Sequence, residues 1–187
     1  ETVLPPVRPA HPAGADLAQL LAGAPSVHVT GVSISSRAVV AGDLYVGLAG
    51  ASTHGARYAA DAVARGAVAV VTDAAGAALT GDLDVPVVVV DDPRLGAGEW
   101  AAEVYGRPAD KVQAFGITGT NGKTTTLYLI TAALAAAGRT VATIGTIGAQ
   151  VAGETIPMSR TTVTTPESPD LQALLAVMVE RGADTVV

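Results

Sequence analysis

Between positions 119 and 125 the chain reads Gly119-Thr120-Asn121-Gly122-Lys123-Thr124-Thr125. Val112 to Thr118 before it has the pattern of a strand, and Lys123 to Ala137 after it that of a helix stopped by Gly138. A glycine turn between a strand and a helix gathers several backbone N–H groups at one spot, and the helix dipole adds partial positive charge there. The chemistry this suits is the binding of a polyphosphate, ATP. Lys123 is placed to reach the β- and γ-phosphates, and the Thr124 hydroxyl to ligate the magnesium ion that bridges them. The strict form of the motif would need glycine where Ile117 stands, and Gly116 lies one place too early, so the loop is a shorter form, Gly-x-x-Gly-Lys-Thr. The competing reading is a glycine turn beside an ordinary surface lysine. The strand before the loop and the helix after it favour the phosphate site.

The elements that must hold this loop follow from periodicity. Leu17 to Leu21 reads as one or two helical turns, Val27 to Ile34 as a strand, and Leu44 to Leu48 as a second strand after the turn Ala41-Gly42-Asp43. Arg57 to Arg65 predicts a helix closed by Gly66, Ala67 to Thr72 a strand, and Pro86 to Val90 another after a small-residue loop. Pro93 to Tyr105 predicts a helix with Asp92 as N-cap and Pro93 at its first position. Gly106-Arg107-Pro108-Ala109 breaks the pattern, and a domain boundary is expected there. Beyond it come the strand, loop and helix above, a strand from Thr140 to Ile144, and a hairpin or irregular loop from Gly145 to Pro166. A helix capped by Ser168 then runs to Arg181, and Asp184 to Val187 opens another strand. Strand, turn, helix and strand in sequence form a βαβ unit. The fold class is α/β: a small mixed α/β domain at 15–107, after a flexible tail at 1–14, then the start of a parallel-sheet ATPase domain at 108–187. Because the chain stops within a repeating α/β pattern, it is expected to be part of a longer protein.

Composition narrows the partners. The chain has 187 residues, a formal charge of −6 and 11 scattered Lys and Arg, which argues against nucleic acid. With 49% hydrophobic residues but 1 Phe and 1 Trp, the core must be built from Ala, Val, Leu and Ile, as suits helices on buried parallel strands. Cys is absent, which excludes disulfides and thiol chemistry. The runs Val68-Ala69-Val70-Val71 and Val87-Val88-Val89-Val90 are too short to cross a membrane, and Glu1 to Pro12 lacks an export pattern. The cytoplasm is the expected compartment, with no membrane and no obligate protein partner.

Ile117 to Thr126 resembles the ATP loop of the Mur ligase family and its folylpolyglutamate synthase relatives, which join a carboxylate to an amine using ATP. Ser36-Arg37, Gly42-Asp43-Leu44-Tyr45-Val46 and Gly50 to Tyr58 resemble the family's amino-terminal domain, which holds the uridine diphosphate end of the substrate and which folylpolyglutamate synthases lack. Thr164-Thr165-Pro166-Glu167, with Asn121 in the loop, is similar to the diamino-acid-adding members. The resemblance runs from about Val29 onward. It implies a bacterial ligase of peptidoglycan synthesis that adds meso-diaminopimelate or L-lysine to UDP-MurNAc-L-Ala-D-Glu through an acyl phosphate. By position, Ile34, Ser36, Ala51, Ser52 and Thr53 fall at the uridine side, and Thr164 and Thr165 at the sugar-nucleotide phosphates. Small residues at 51–53 replace larger polar ones common in the family. From spacing alone, Thr164 and Thr165 are equally a solvated threonine-rich loop, since Thr161 and Thr162 are close by.

Other constellations carry less. His11, His28 and His54 lack metal-ligand spacing, and His54 is expected to be a solvated loop histidine. Asp91-Asp92 is explained by the N-cap, Asp82 and Asp84 read as loop charges, and Gly145-Thr146-Ile147-Gly148 is too short for a dinucleotide fingerprint. The resemblance places a further magnesium-holding glutamate, a carbamylated lysine, a catalytic histidine and an amino-acid-selecting domain past Val187, so the 187 residues alone are expected to have no ligase activity. Three alternatives remain: a D-Ala-D-Ala-adding member of the family, a non-catalytic UDP-sugar-binding module, and a plain phosphate-loop ATPase or kinase. The last leaves the first hundred residues unexplained.

Overall fold

The computed structural model describes residues 6–158 and 166–187. In chain order the elements are β1 (Ala15–Asp16), α1 (Leu17–Leu20), β2 (His28–Val29), β3 (Gly31–Ser33), β4 (Asp43–Gly47), α2 (Ala59–Ala64), β5 (Ala69–Thr72), α3 (Ala74–Ala77), β6 (Val87–Val89) and α4 (Pro93–Val104). There follow β7 (Gln113–Ala114), α5 (Lys123–Ala136), β8 (Val141–Gly145), β9 (Gly148–Val151), β10 (Glu154–Ile156), α6 (Ser168–Glu180) and β11 (Thr185–Val186).

The first unit is a parallel sheet in the order β3-β4-β5-β6. Every residue of β4 and β5 is buried, as expected of central strands with helices on both faces. On one face, Leu44, Val46, Ala69 and Val71 join Val29, Val32, Trp100, Ala101 and Val104; on the other, Tyr45 and Val70 meet Ala59 and Ala62 of α2. The second unit is a five-stranded sheet in the order β10-β9-β8-β11-β7. β11 is parallel to both β7 and β8, and the hairpin β9–β10 is antiparallel. The expected βαβ unit is present with one strand skipped, since β11 lies between β7 and β8. Helix α6 serves both cores: Ala173 and Ala176 pack into the first, while Leu174, Leu175, Val177 and Met178 pack into the second. A helix buried on nearly every side reads as apolar all round, which is how its sequence looks.

Several boundaries differ from expectation for local reasons. The strand expected from Val27 to Ile34 is two short strands with different partners: β2 pairs with β1, β3 with β4, and Thr30 between them donates its N–H to the Gly42 carbonyl at 2.9 Å. The strand expected over Val112 to Thr118 is reduced to β7. Phe115 still donates to the Val186 carbonyl at 2.8 Å, but beyond it no strand among the described residues runs alongside. The small-residue loop after β5 contains the single-turn helix α3, capped by Asp73, which accepts from the Gly76 N–H at 2.7 Å. Asp92 caps α4 as expected, accepting from Arg94 and Leu95 N–H at 3.0 and 3.2 Å. The cap position of α6 is Glu167, one residue before the expected Ser168, and no side chain caps it.

The tail also needs correcting. Residues 6–14 form an extended arm with fixed contacts. Pro9 is buried, Arg8 pairs with Asp43 at 2.9 Å, and the N–H groups of Ala10 and His11 donate to the Glu180 carboxylate. Pro6, Pro9 and Pro12 fix φ at three positions of this arm, so ordering it loses less entropy.

Candidate functional site

The phosphate loop is curled. Gly119 has φ 151° and Gly122, at the N-cap position of α5, has φ 82° and ψ −7°. A Cβ on Gly122 would meet nothing within 4 Å, so glycine is needed for its left-handed backbone and not for space. Because a glycine cap offers no side chain, no N-cap side chain satisfies the first-turn N–H groups of α5. The Lys123 ammonium bends back over the loop, donating to the Gly119 carbonyl and lying 3.5 Å from the Thr120 carbonyl. Residues 118–126 are all exposed, so these contacts are made at the surface, where phosphate oxygens can replace them. Beside the loop is a cavity of about 210 Å³ lined by Lys123, Thr124, Leu127, Ile117, Thr146 and Ile147. Of the expected ATP contacts, Lys123 and Thr124 line this cavity; Gly119, Thr120, Asn121, Gly122 and Thr125 lie on the exposed loop.

A second, larger cavity of about 800 Å³ lies at the first sheet. Ile34, Ser36 and Thr53, three of the residues expected at a uridine side, line it. Ala51 and Ser52 sit exposed in the same loop but outside the lining, and Thr164 and Thr165 lie outside the described residues. Sequence reasoning missed Tyr45, Tyr58, Arg65 and Arg94, which come from β4, the turn before α2, the end of α2 and the first turn of α4. Only the topology joins them, and no spacing in the sequence signals it. Arg37, Arg65 and Arg94 against Asp61 and Glu167 give this lining a positive balance within an acidic chain. Arg94 and Glu167 face each other at 3.9 Å, both largely exposed, so their attraction is weak.

The loop beneath this cavity is held firmly. Gly55 donates to the Leu48 carbonyl at 2.7 Å and Gly50 to the Thr53 carbonyl at 3.1 Å. Tyr45 donates its hydroxyl to the Gly55 carbonyl at 2.8 Å, and burial pushes its phenol up to about 12. His54 is not a solvated loop histidine. Its Nδ1 accepts from the Ala56 N–H at 3.1 Å, which leaves the proton on Nε2, 3.2 Å from both Asp73 oxygens. The Gly76 N–H first, and His54 second, hold the Asp73 carboxyl below the usual range. These bonds tie the loop to α3 and give His54 a structural part.

The donor set can be tested for a metal. Among the described residues no three His, Asp or Glu side chains converge as a cage. The Thr124 hydroxyl, in the first turn of α5 behind a glycine turn, does fit a magnesium ion that takes most of its ligands from a nucleotide and water. No helix among the described residues is long and apolar enough to cross a membrane.

Comparison with known proteins places both regions. Residues 28–105 match the Mur ligase family, catalytic domain, and residues 117–187 the Mur ligase middle domain. The UDP-N-acetylmuramoyl-L-alanyl-D-glutamate--2,6-diaminopimelate ligase of Streptomyces avermitilis is 48% identical over 187 residues, which covers 97% of this chain and 36% of the relative. The ligase of the same name from Streptomyces coelicolor is 47% identical with the same coverage of each. The chain thus spans about a third of the length of these relatives. A solved UDP-N-acetylmuramoyl-L-alanyl-D-glutamate--2,6-diaminopimelate ligase is similar with a TM-score of 0.72 and 26% identity, covering 92% of this chain and 35% of that one. A MurF ligase from Thermotoga maritima in complex with ADP shares the fold at a TM-score of 0.55 and 20% identity, covering 85% of this chain and 31% of that one. One matched stretch holds the lining of the larger cavity except Glu167, the other holds the curled loop with its lysine, and on both the chain belongs to the Mur ligase family.

Proposed function

We propose that this chain is the amino-terminal and middle portion of a bacterial, cytoplasmic, ATP-dependent ligase that adds 2,6-diaminopimelate to UDP-MurNAc-L-Ala-D-Glu in peptidoglycan synthesis. The observation that carries this reading is the curled loop at the start of α5, with Lys123 and Thr124 beside a cavity and no side chain capping the helix. The names of the relatives at 47–48% identity support the choice of substrates. The proposed division between the two parts lies near residue 107; the positive φ of Gly106 and Arg107, between the two sheets, supports it.

In the reaction, the D-glutamate side-chain carboxylate attacks the γ-phosphorus of ATP, the bond to the β-phosphate oxygen breaks, and ADP leaves. The acyl phosphate formed is then attacked by the amine, which loses a proton as inorganic phosphate departs and the amide forms. The chain's own residues act on the first step. Lys123 and the loop N–H groups draw charge off the triphosphate and hold the γ-phosphoryl group in line. Thr124 would hold magnesium, which when bound neutralises charge between the β- and γ-phosphates. Ile34, Ser36 and Thr53, with Ala51 and Ser52 at the loop tip, would receive the uridine end. Arg37, Arg65 and Arg94 fit a diphosphate, and the family resemblance assigns Thr164 and Thr165 to the same phosphates.

The test is release of ADP and phosphate by the complete protein. Release is expected only when UDP-MurNAc-L-Ala-D-Glu and diaminopimelate are both present. Turnover with L-lysine would change the diamino acid, and turnover with D-Ala-D-Ala on a tripeptide substrate would favour the MurF-type reading. Uridine nucleotide binding without any ATP hydrolysis would favour a binding module.

A further inference from the structure

Glu180 ends α6 where a carboxylate is unfavourable to the helix dipole, and no basic residue accompanies it in the last turn. Each of its two oxygens accepts a backbone N–H, however. Oε2 accepts from the Ala10 N–H at 2.9 Å and Oε1 from the His11 N–H at 2.7 Å. Two residues earlier, Arg8 donates through Nη2 to Asp43 Oδ2 at 2.9 Å, at the start of β4 in the other unit, and at 3.4 Å to the Val32 carbonyl of β3. Val7 packs onto the second core, and Gly14 donates to the Val104 carbonyl at 2.9 Å. The arm therefore grips the first sheet at β3, β4 and α4, and the second unit at its core and the last turn of α6.

We infer that this arm is a strap: Arg8 fastens it to the first sheet, its amides hold the Glu180 carboxylate at the end of α6, and together they set where Glu167, just before α6, stands at the larger cavity. A helix of 13 residues behaves as a rod of about 20 Å, so holding its last turn fixes where its first turn lies. That first turn follows Glu167, which lines the cavity opposite Ile34, Ser36 and Thr53. Neither Arg8 nor Glu180 lines either cavity; Arg8 acts through the arm and Glu180 through the helix. The link to ligand binding rests on the reading of this cavity as a uridine nucleotide site; the mechanical link does not.

The experiment compares the 187-residue chain with its Glu180→Ala and Glu180→Gln variants, and with Glu154→Gln on the exposed hairpin as a control. Hydrogen exchange should show the Ala10 and His11 amides protected in the parent and open in Glu180→Ala, with faster exchange spreading to residues 166–171. The Kd for UDP should rise about fivefold or more, in the range of coupling between linked sites, while an ATP analogue binds as before. Glu180→Gln keeps one acceptor oxygen and should fall between, and the control should match the parent. Unchanged exchange at residues 10 and 11, or loss of protection there that stops short of 166–171, would overturn the strap. UDP binding by Glu180→Ala equal to the parent's would overturn its positioning role. If the parent itself binds no UDP, the nucleotide reading fails, and the exchange data alone decide the strap.

Discussion

Replacing Lys123 by alanine is expected to weaken binding of a non-hydrolysable ATP analogue by about 100-fold, as loss of one or two charge-assisted hydrogen bonds would. The same change should leave UDP affinity where it was. The reasoning is local. The chain is acidic overall, so long-range charge repels a triphosphate, and attraction has to come from groups at the loop itself. Lys123 is the one side-chain cation on the loop between residues 119 and 125, and its present contacts are two carbonyls of that loop. A triphosphate would replace those weak acceptors with charged ones. The larger cavity draws on the segment after β3, on β4 and the loop that follows it, on α2, the start of α4 and Glu167 before α6, none of which includes Lys123. Calorimetric titration of both ligands into both proteins reads the split. Equal loss for UDP would mean that the substitution disturbs the fold, and no loss for the analogue would remove Lys123 from the site.

The second large effect is on stability. Asp43→Ala is expected to destabilise the chain by about 3–5 kcal/mol, the range for leaving one member of a buried ion pair without its partner. Asp43 is 2% exposed and its Oδ2 accepts from both Arg8 and the Val40 N–H, at 2.9 and 3.0 Å. Without it the guanidinium, 14% exposed and with Nε already lacking a partner, loses its charged acceptor. The site is also tightly fitted. A Cβ on Gly31 would lie 2.1 Å from Asp43 Oδ1 and 3.2 Å from the Tyr105 hydroxyl, so glycine at 31 makes room for the carboxylate. Urea denaturation followed by the fluorescence of Trp100, the single tryptophan, measures the change. A loss below about 1 kcal/mol, the level of an exposed pair, would show that the pair is not a buried one.

The parts of this molecule that were legible in its sequence are those governed by neighbours along the chain. Asp92-Pro93 announced the start of α4, Gly138 the end of α5, and the glycine spacing at 119 and 122 the curled loop, because caps and turns are decided within a few residues. The alternation from Val27 to Ile34 was read as one strand because nothing local marks Thr30 as the place where the pairing partner changes. β7 was drawn too long for a related reason, since a strand's length depends on the neighbour that pairs with it. The arm was the largest misreading. Four prolines and few apolar residues look like a loose end, and the acceptors that order it, Asp43 and Glu180, lie far away in the chain. His54 was taken as solvated because its partner Asp73 follows 19 residues later on another element. For the larger cavity, Ser36 and Thr53 were accessible through family resemblance, whereas Arg65 and Arg94 were visible only once the sheet had brought α2 and α4 to one rim.

The claim on which the functional reading depends is that the amides of the loop at residues 119–125 converge on a triphosphate. Labelling the backbone with nitrogen-15 and titrating the chain with a magnesium-bound ATP analogue measures this directly. Saturable shifts centred on Gly119 through Thr125, with the Lys123 ammonium released from the Gly119 carbonyl, are the predicted result. Loop amides that stay unmoved while the analogue saturates, or shifts that gather at another part of the chain, would contradict it.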